Sequence, residues 1–380
     1  MSDSTAIQPV VISYNDLVAG SDSLPALIQK AFDSKPESLG LLIVSDLPPE
    51  FSALRQRLLL LSNAFASLPH YVREQYIHPA SNYSFGWSHG KEIMNGKPDL
   101  LKGSFYNNPT TDETPGLKAG EEPTRNIWPK EEGVEGFEEA FKALCTLMVR
   151  IGQLVASACD QLVGQTASQK TVKQLVCDSH SSKARLLHYF PRQDSVFTLP
   201  PSSSIDDSIQ ETVDDSWCGT HVDHSLLTVL CPSLYLFHPT SLDPSRDSNL
   251  NPMQIPAPSP STGLFIKTRG GQVVQAKIPE NCVALQTGET IQLLTSNRLA
   301  ATPHFVNATA STLGKKALEA IEQKRATDPE EWGKVETGVV TRETLAVFLQ
   351  PNNDEVVSAE GETFGEFTAR VFKRHYADAK

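Results

Sequence analysis

The sequence predicts an α+β fold: a helix-rich N-terminal region over 1–165, then an antiparallel β-barrel or jelly-roll core over 166–380 that ends in a helix. Three observations carry this. Apolar residues recur at three and four positions over 51–66 and again over 137–163, the spacing of a helix face. From 184 to 350 the apolar runs are short, rich in β-branched residues and divided by Gly, Pro and Asn, as strands are. Over 363–376, Phe364, Phe367 and Val371 share one side of an amphipathic helix.

The elements follow in order. QPVVISY (8–14) and GLLIVSDL (40–47) read as strands, and the apolar spacing over 24–32 places a helix between them. The helix over 51–66 stops before the breaker Pro69, and the helix over 137–163 begins after Gly136. The core strands are RLLHYF, SLLTVL, LFIKT, QVVQAKI, CVALQT and TLAVFLQ. Three stretches interrupt them. The Ser/Asp-rich 193–215 and the Pro/Ser/Asn-rich 239–262 read as exposed loops. Segment 308–338 contains LGKKALEAIEQK, whose strong helix formers predict a surface helix. No internal repeat is visible.

Composition bounds the function. At 380 residues and 39% hydrophobic content the chain can bury a large core, as one elaborated domain or two ordinary ones. Its 33 basic and 45 acidic residues give a formal charge of −12 with no Lys/Arg-rich run, which argues against nucleic-acid binding and against attraction to an anionic membrane. A small-molecule partner is expected. The six cysteines show no C-x-x-C pair, so reduced thiols in a cytoplasmic setting are expected. The opening MSDSTAIQPVVISY lacks a basic stretch followed by an apolar one, and no apolar run approaches the ~20 residues of a membrane helix.

The chemistry-bearing segment is WCGTHVDHSLLTVL (217–230). Residues i and i+2 of a strand share a face, so the His221 imidazole and Asp223 carboxylate emerge side by side. His304 lies 81 positions after Asp223, in ATPHFV, and is the candidate third ligand. Two imidazoles and one carboxylate leave one face of a metal open, the ligand set of non-haem Fe(II) oxygenases. H-x-D alone is weak, because such pairs also simply hydrogen-bond at strand edges. His224 should point to the opposite face as a structural residue, and His180, His188 and His238 have no partner spacing. Trp87, His89, Phe105, Tyr106 and Trp217 are candidates for a pocket wall or for core packing.

Ordered matches over nearly the whole chain resemble the isopenicillin N synthase-like group of the 2-oxoglutarate/Fe(II)-dependent oxygenases. LGLLIVSDLP resembles the strand before that group's first long helix, and SFGWSHGKE with KPDLLKGSFYNNP its Gly-aromatic turn and Asp-containing segment. NIWPKEEGVEGF resembles the N-x-W-P lead into its long helix, and RLLHYFP its R-x-N-Y-Y-P strand. THVDHSLLTVL resembles the H-x-D strand, and GETIQLLTSNRLAATPHFV the G-D…T-N-G-R…H-R-V run ending at the distal ligand.

The resemblance implies a double-stranded β-helix (jelly-roll) holding Fe(II) at His221, Asp223 and His304, with 2-oxoglutarate and O₂ as cosubstrates. It also implies an R-x-S pair gripping the far carboxylate of 2-oxoglutarate. That pair does not follow His304 directly; it stands after the 308–338 insertion as Arg342-Glu343-Thr344, with Thr for Ser. An Arg fork can grip a carboxylate bidentately, and alternation places Arg342 and Thr344 on one face. His188-Tyr189-Phe190 departs from N-Y-Y, so a phenol near the cosubstrate is expected to be replaced by Phe190. The implied reaction is oxidation, by default hydroxylation, of a C–H bond in a small organic molecule, with release of succinate and CO₂. Two alternatives are an Fe(II) oxidase that does not consume 2-oxoglutarate and a catalytically silent jelly-roll binding protein.

Overall fold

A computed structural model describes residues 7–94, 97–116, 122–164, 166–191, 196–199, 218–240, 250–307 and 313–376. Most of the Ser/Asp-rich stretch, together with Trp217, lies outside the described residues. The principal strands are β1 (Val10–Ser13), β2 (Leu41–Ser45), β3 (Gly86–His89), β4 (Lys102–Asn107), β5 (Lys183–Tyr189), β6 (Cys218–His221) and β7 (Leu227–Leu230). They continue as β8 (Leu234–Thr240), β9 (Met253–Ile255), β10 (Gly263–Lys267), β11 (Val273–Ala276), β12 (Val283–Thr287), β13 (His304–Asn307) and β14 (Thr337–Leu349).

An eleven-stranded sheet runs β1-β2-β12-β7-β14-β5-β4-β3, with β8 and the short strand Phe197–Thr198 paired to β14 and β9 paired to β8. A four-stranded sheet runs β6-β13-β10-β11. The N-terminal third therefore contributes strands as well as helices: β2 pairs with β12, and β4 with β5. β14 is the hub, pairing with β5, β7, β8 and Phe197–Thr198. Within 239–262, read from sequence as loop, Met253–Ile255 pairs with β8. Its polar composition hid a strand of only three residues.

The helices α1 (Leu24–Phe32), α2 (Phe51–Ser67) and α3 (Phe137–Val163) fall where the apolar spacing put them. They cover one face of the large sheet, where Leu58, Phe141 and Met148 share a core with Leu345 and Val347 of β14. On the opposite face a second core gathers Leu187, Ile266, Ala284 and Ala346. Helix α4 (Lys315–Thr327) adds Ala317, Leu318 and Ile321 to it, so the expected surface helix does bury one apolar stripe. The last helix, α5 (Phe364–Tyr376), packs Phe364 and Phe367 beside Val357.

Helix α3 is long and apolar enough to cross a membrane by length and composition, yet more than half of its apolar window is buried in this fold, as in a core helix. Two local devices seat it. Glu138 and Glu139 lie in its first turn, where carboxylates complement the helix dipole. Gly152 lets it approach the large sheet, because a Cβ there would collide with the Leu349 side chain and crowd Val229. Gly152→Val should lower stability by about 1–3 kcal/mol through overpacking, read as a lower urea midpoint.

Candidate metal centre

The triad forms at the meeting of two paired strands. β6 and β13 run antiparallel with His221 opposite His304, after an irregularity that shifts the register from Cys218. The strand ends at His221, so Asp223 sits in the turn before β7 rather than on the strand. The i, i+2 expectation thus reaches the right neighbours through a turn. Backbone contacts aim that turn: Glu289 N–H donates to the Asp223 carbonyl at 2.7 Å, Gly288 N–H to Leu226, and the Thr290 hydroxyl to the His224 carbonyl. Gly288 is the residue the turn lies against, since a Cβ there would run into the Ser225 and Asp223 carbonyls.

The segment carrying His304 is held as firmly. Arg298 donates to the Leu162 carbonyl at 2.7 Å and to that of Val163, satisfying acceptors at the C-terminal end of α3. The Gln292 side chain accepts from Ala301 N–H at 2.8 Å, and the Thr287 hydroxyl donates to the Ala300 carbonyl at 2.9 Å. His224 points away from the triad, stacked on Phe364 and Phe367 with Nε2 2.8 Å from the Thr368 hydroxyl, as expected for a structural residue.

Asp223 Oδ1 lies 3.7 Å from His221 Nε2 and 3.7 Å from His304 Nε2, and one donor atom from each residue falls within 4.8 Å of the others. A metal bound at about 2.1 Å with cis angles near 90–110° spaces its donors about 3.0–3.4 Å apart, so small side-chain movements complete the site. The donor set fits a divalent transition metal. His221 Nδ1 is 2.7 Å from the Gly219 carbonyl and donates to it, which leaves Nε2 free to ligate. Burial opposes a proton on His221, but Cys218 and Asp223 outweigh it and raise its pKa to about 9. His304 is pushed down to about 4, by burial first and then by His221.

The three triad residues line a cavity of about 810 Å³ between the two sheets, and Arg342 and Thr344 line it too. Arg342 is 5% exposed and lies over the Tyr189 ring at 4.6 Å, and its Nε and Nη1 are buried without a hydrogen-bond partner among the described residues. A buried guanidinium with unused donors is costly and suits an anion. The Thr344 hydroxyl donates to the Cys231 carbonyl at 3.1 Å, so its proton is committed in this state. The expectation about Phe190 is corrected: Tyr189 faces the cavity, whereas Phe190 stacks on His89 at 4.6 Å. Tyr189 ends β5 on the same side as Arg185 and Leu187, toward the cavity, and Phe190, just past the strand, packs against the core on the helix side. Trp87 and Phe105 pack around Phe65 in the core and, with His89 and Tyr106, are absent from the cavity wall.

Three features escaped the sequence reading. Both insertions reach the cavity, through residues around Ile255, Ser259 and Thr262 and through Leu313, Lys315 and Lys316. Arg185 stands on the wall, held by Ser104 at 2.9 Å and Glu92 at 2.6 Å, while Lys102 pairs with Glu92 and Asp99 at 3.1 and 3.0 Å. Behind Arg342, fully buried Glu343 accepts from Ser62 at 2.9 Å and Asn63 at 3.1 Å, and lies 2.7 Å from His188 Nδ1. His188 therefore has a partner that spacing did not show. The available signal was alternation: with Arg342 and Thr344 facing inward, Glu343 must face the helices and find donors there.

No protein-family model matches the sequence, and no curated protein sequence matches it. Solved structures do match. A protein from Caulobacter crescentus described with the 2OG-Fe(II) oxygenase family superposes with a TM-score of 0.62 at 18% identity, covering 96% of this chain and 99% of that one. A full-length Neurospora crassa protein in complex with alpha-KG gives 0.58 at 17% identity over 94% and 89%. JOX2 in complex with 2OG, Fe and JA gives 0.57 at 14% identity over 97% and 86%. The chain has the fold of the 2-oxoglutarate/Fe(II) oxygenases.

His238, bonded to Thr341 at 3.0 Å in the Glu343 cluster, is pushed down to about 4 by burial and then by His188, against the pull of Glu343. A folded pKa below the ordinary 6.5 means the unfolded chain binds the proton more tightly. Its contribution to stability is therefore present above pH ~6.5 and lost as pH falls toward 4. Unfolding temperature should decline across that window, and the decline should be shallower in His238→Gln.

Proposed function

We propose that the chain is a non-haem Fe(II) oxygenase that uses 2-oxoglutarate and O₂ to oxidise, by default to hydroxylate, a C–H bond of a small organic molecule. The observation that carries this is the convergence of His221 Nε2, Asp223 Oδ1 and His304 Nε2 in the cavity that also buries the partnerless donors of Arg342. The fold shared with proteins crystallised with alpha-KG or 2OG supports it. On this reading the two sheets form the double-stranded β-helix, and the helices of 1–165 pack on the core of 166–380. The six cysteines, all unpaired, suit a reducing cytoplasmic compartment.

Iron held by the triad would supply the oxidation of the C–H bond, coupled to decarboxylation of 2-oxoglutarate to succinate and CO₂. The protein's own residues do the positioning. His221 Nε2, Asp223 Oδ1 and His304 Nε2 would hold the ion, and binding would displace the proton that Cys218 and Asp223 favour on His221. Arg342 grips the far carboxylate of the cosubstrate, with Tyr189 beneath the guanidinium and Thr344 on the same wall. Leu187, Leu230 and Val306 present apolar surface that limits water. The described parts of the two insertions shape the rest of the wall and so bear on substrate choice.

Arg342 favours a reading in which the cavity takes an anion beside the triad, since two of its buried donors face the cavity without a partner among the described residues. Fe(II)-loaded protein should turn 2-oxoglutarate into succinate, slowly without substrate, and His221→Ala should abolish this. Arg342→Leu should weaken anaerobic 2-oxoglutarate binding at least tenfold, measured by the visible charge-transfer band, while leaving metal content unchanged. Absence of stoichiometric metal after reconstitution with Fe(II) or Mn(II) would sink the proposal.

A further inference from the structure

The two histidines of the triad are oriented by different means. His221 is held by a backbone carbonyl, that of Gly219. His304 is held by a side chain: the Gln286 carboxamide lies 2.6 Å from His304 Nδ1, much nearer than the Thr302 carbonyl at 3.3 Å. Gln286 sits on β12, fully buried, on a strand whose five residues are all buried. A fully buried amide in such a strand is expensive unless it has work to do.

The geometry bears on which ring nitrogen carries the proton. With the amide nitrogen toward the ring, Nε2 of Gln286 donates to Nδ1, the His304 proton moves to its own Nε2, and that atom cannot ligate. The same orientation lets Gln286 Nε2 donate to the Thr302 carbonyl only at 3.3 Å, a long contact that the opposite orientation gives up, and leaves Gln286 Oε1 buried without a hydrogen-bond partner among the described residues. A half-turn of the carboxamide exchanges its two ends with almost no change in shape. Oε1 then accepts from Nδ1–H, and the Nε2 lone pair of His304 is directed at Asp223 and the metal position. Only this arrangement matches His221, whose Nδ1–H also donates to a carbonyl oxygen.

We infer that Gln286 is a positioning residue of the metal centre: through Oε1 it holds His304 as the Nδ1–H tautomer, so that Nε2 is committed to the metal. The inference rests on reading the triad as a metal site. An acceptor at that place also raises the ring's basicity as a ligand, and partners of this kind are worth about 10–100-fold in metal affinity.

The test compares Mn(II) affinity, from the electron paramagnetic resonance signal of the free ion, for the native protein, Gln286→Leu and Gln286→Glu, with His221→Ala as reference. Gln286→Leu should bind about 10–100-fold more weakly. Gln286→Glu, whose carboxylate can only accept, should restore native affinity or exceed it. In the metal-free proteins, a slowly exchanging Nδ1 proton on His304 should be visible by nitrogen-edited NMR in the native and Glu forms and missing in the Leu form. A packing role would make Leu and Glu equally harmful, and a donor role would leave Glu as weak as Leu; either result overturns the inference. If native protein binds Mn(II) and Gln286→Leu binds it as tightly, Gln286 is dispensable while the triad stands. If native protein binds none, both readings fall together.

Discussion

The register of β14 sets Arg342 opposite Tyr189 of β5 on one edge and opposite Tyr235 of β8 on the other, and so fixes which of its residues face the cavity. This strand of thirteen residues pairs with four others and is largely buried on both faces, with Arg342, Thr344 and Ala346 toward the cavity and Glu343, Leu345 and Val347 toward the helices. A slip by one residue would exchange the faces, sending Glu343 into the cavity and Arg342 into the helices. The Glu343 cluster opposes that slip. Ser62 and Asn63 of α2 and His188 of β5 hold the carboxylate from three sides, and a carboxylate elsewhere in that core would lose several hydrogen bonds at once. The helix layer thereby determines which way the guanidinium of Arg342 points.

A second constraint ties His221, Asp223 and His304 to the same frame. β7 pairs with both β14 and β12, and the turn leading into β7 carries Asp223. β12 carries Gln286 and leads to Gly288, against which that turn is packed. His304 returns on the small sheet opposite His221, tied through Arg298 to the end of α3. The triad is thus assembled from two stretches of chain, 221–223 and the segment ending at His304, each held by backbone or buried side-chain bonds. Such support keeps ligands within the small tolerance that coordination requires.

The arrangement also divides labour between scaffold and wall. The triad residues and Arg342 stand on paired strands or on a turn clamped between them, whereas the described parts of both insertions add surface to the cavity and take no part in the β6–β13 pairing that sets His221 opposite His304. Insertions at such a place can vary the cavity while the metal geometry is kept, which is how one scaffold serves many substrates.

Short-range pattern was legible in the chain before any contact was known. The 3.6-residue spacing marked the helices over Phe51–Ser67 and Phe137–Val163 almost to the residue, and the alternation of β14 put Arg342 and Thr344 on one side. H-x-D with a later histidine in a resembling run was enough to name the three ligand candidates. Tertiary structure alone decided the rest: that His221 faces His304 across a strand pair, that Tyr189 rather than Phe190 faces the cavity, that both insertions reach its wall, and that Gln286 and Glu343 find partners 18 and 155 residues away in sequence. The physical reason is that periodicity reports which face of an element is apolar, whereas a buried polar group acquires its meaning from the neighbour that satisfies it. That neighbour is chosen by sheet pairing across the whole chain.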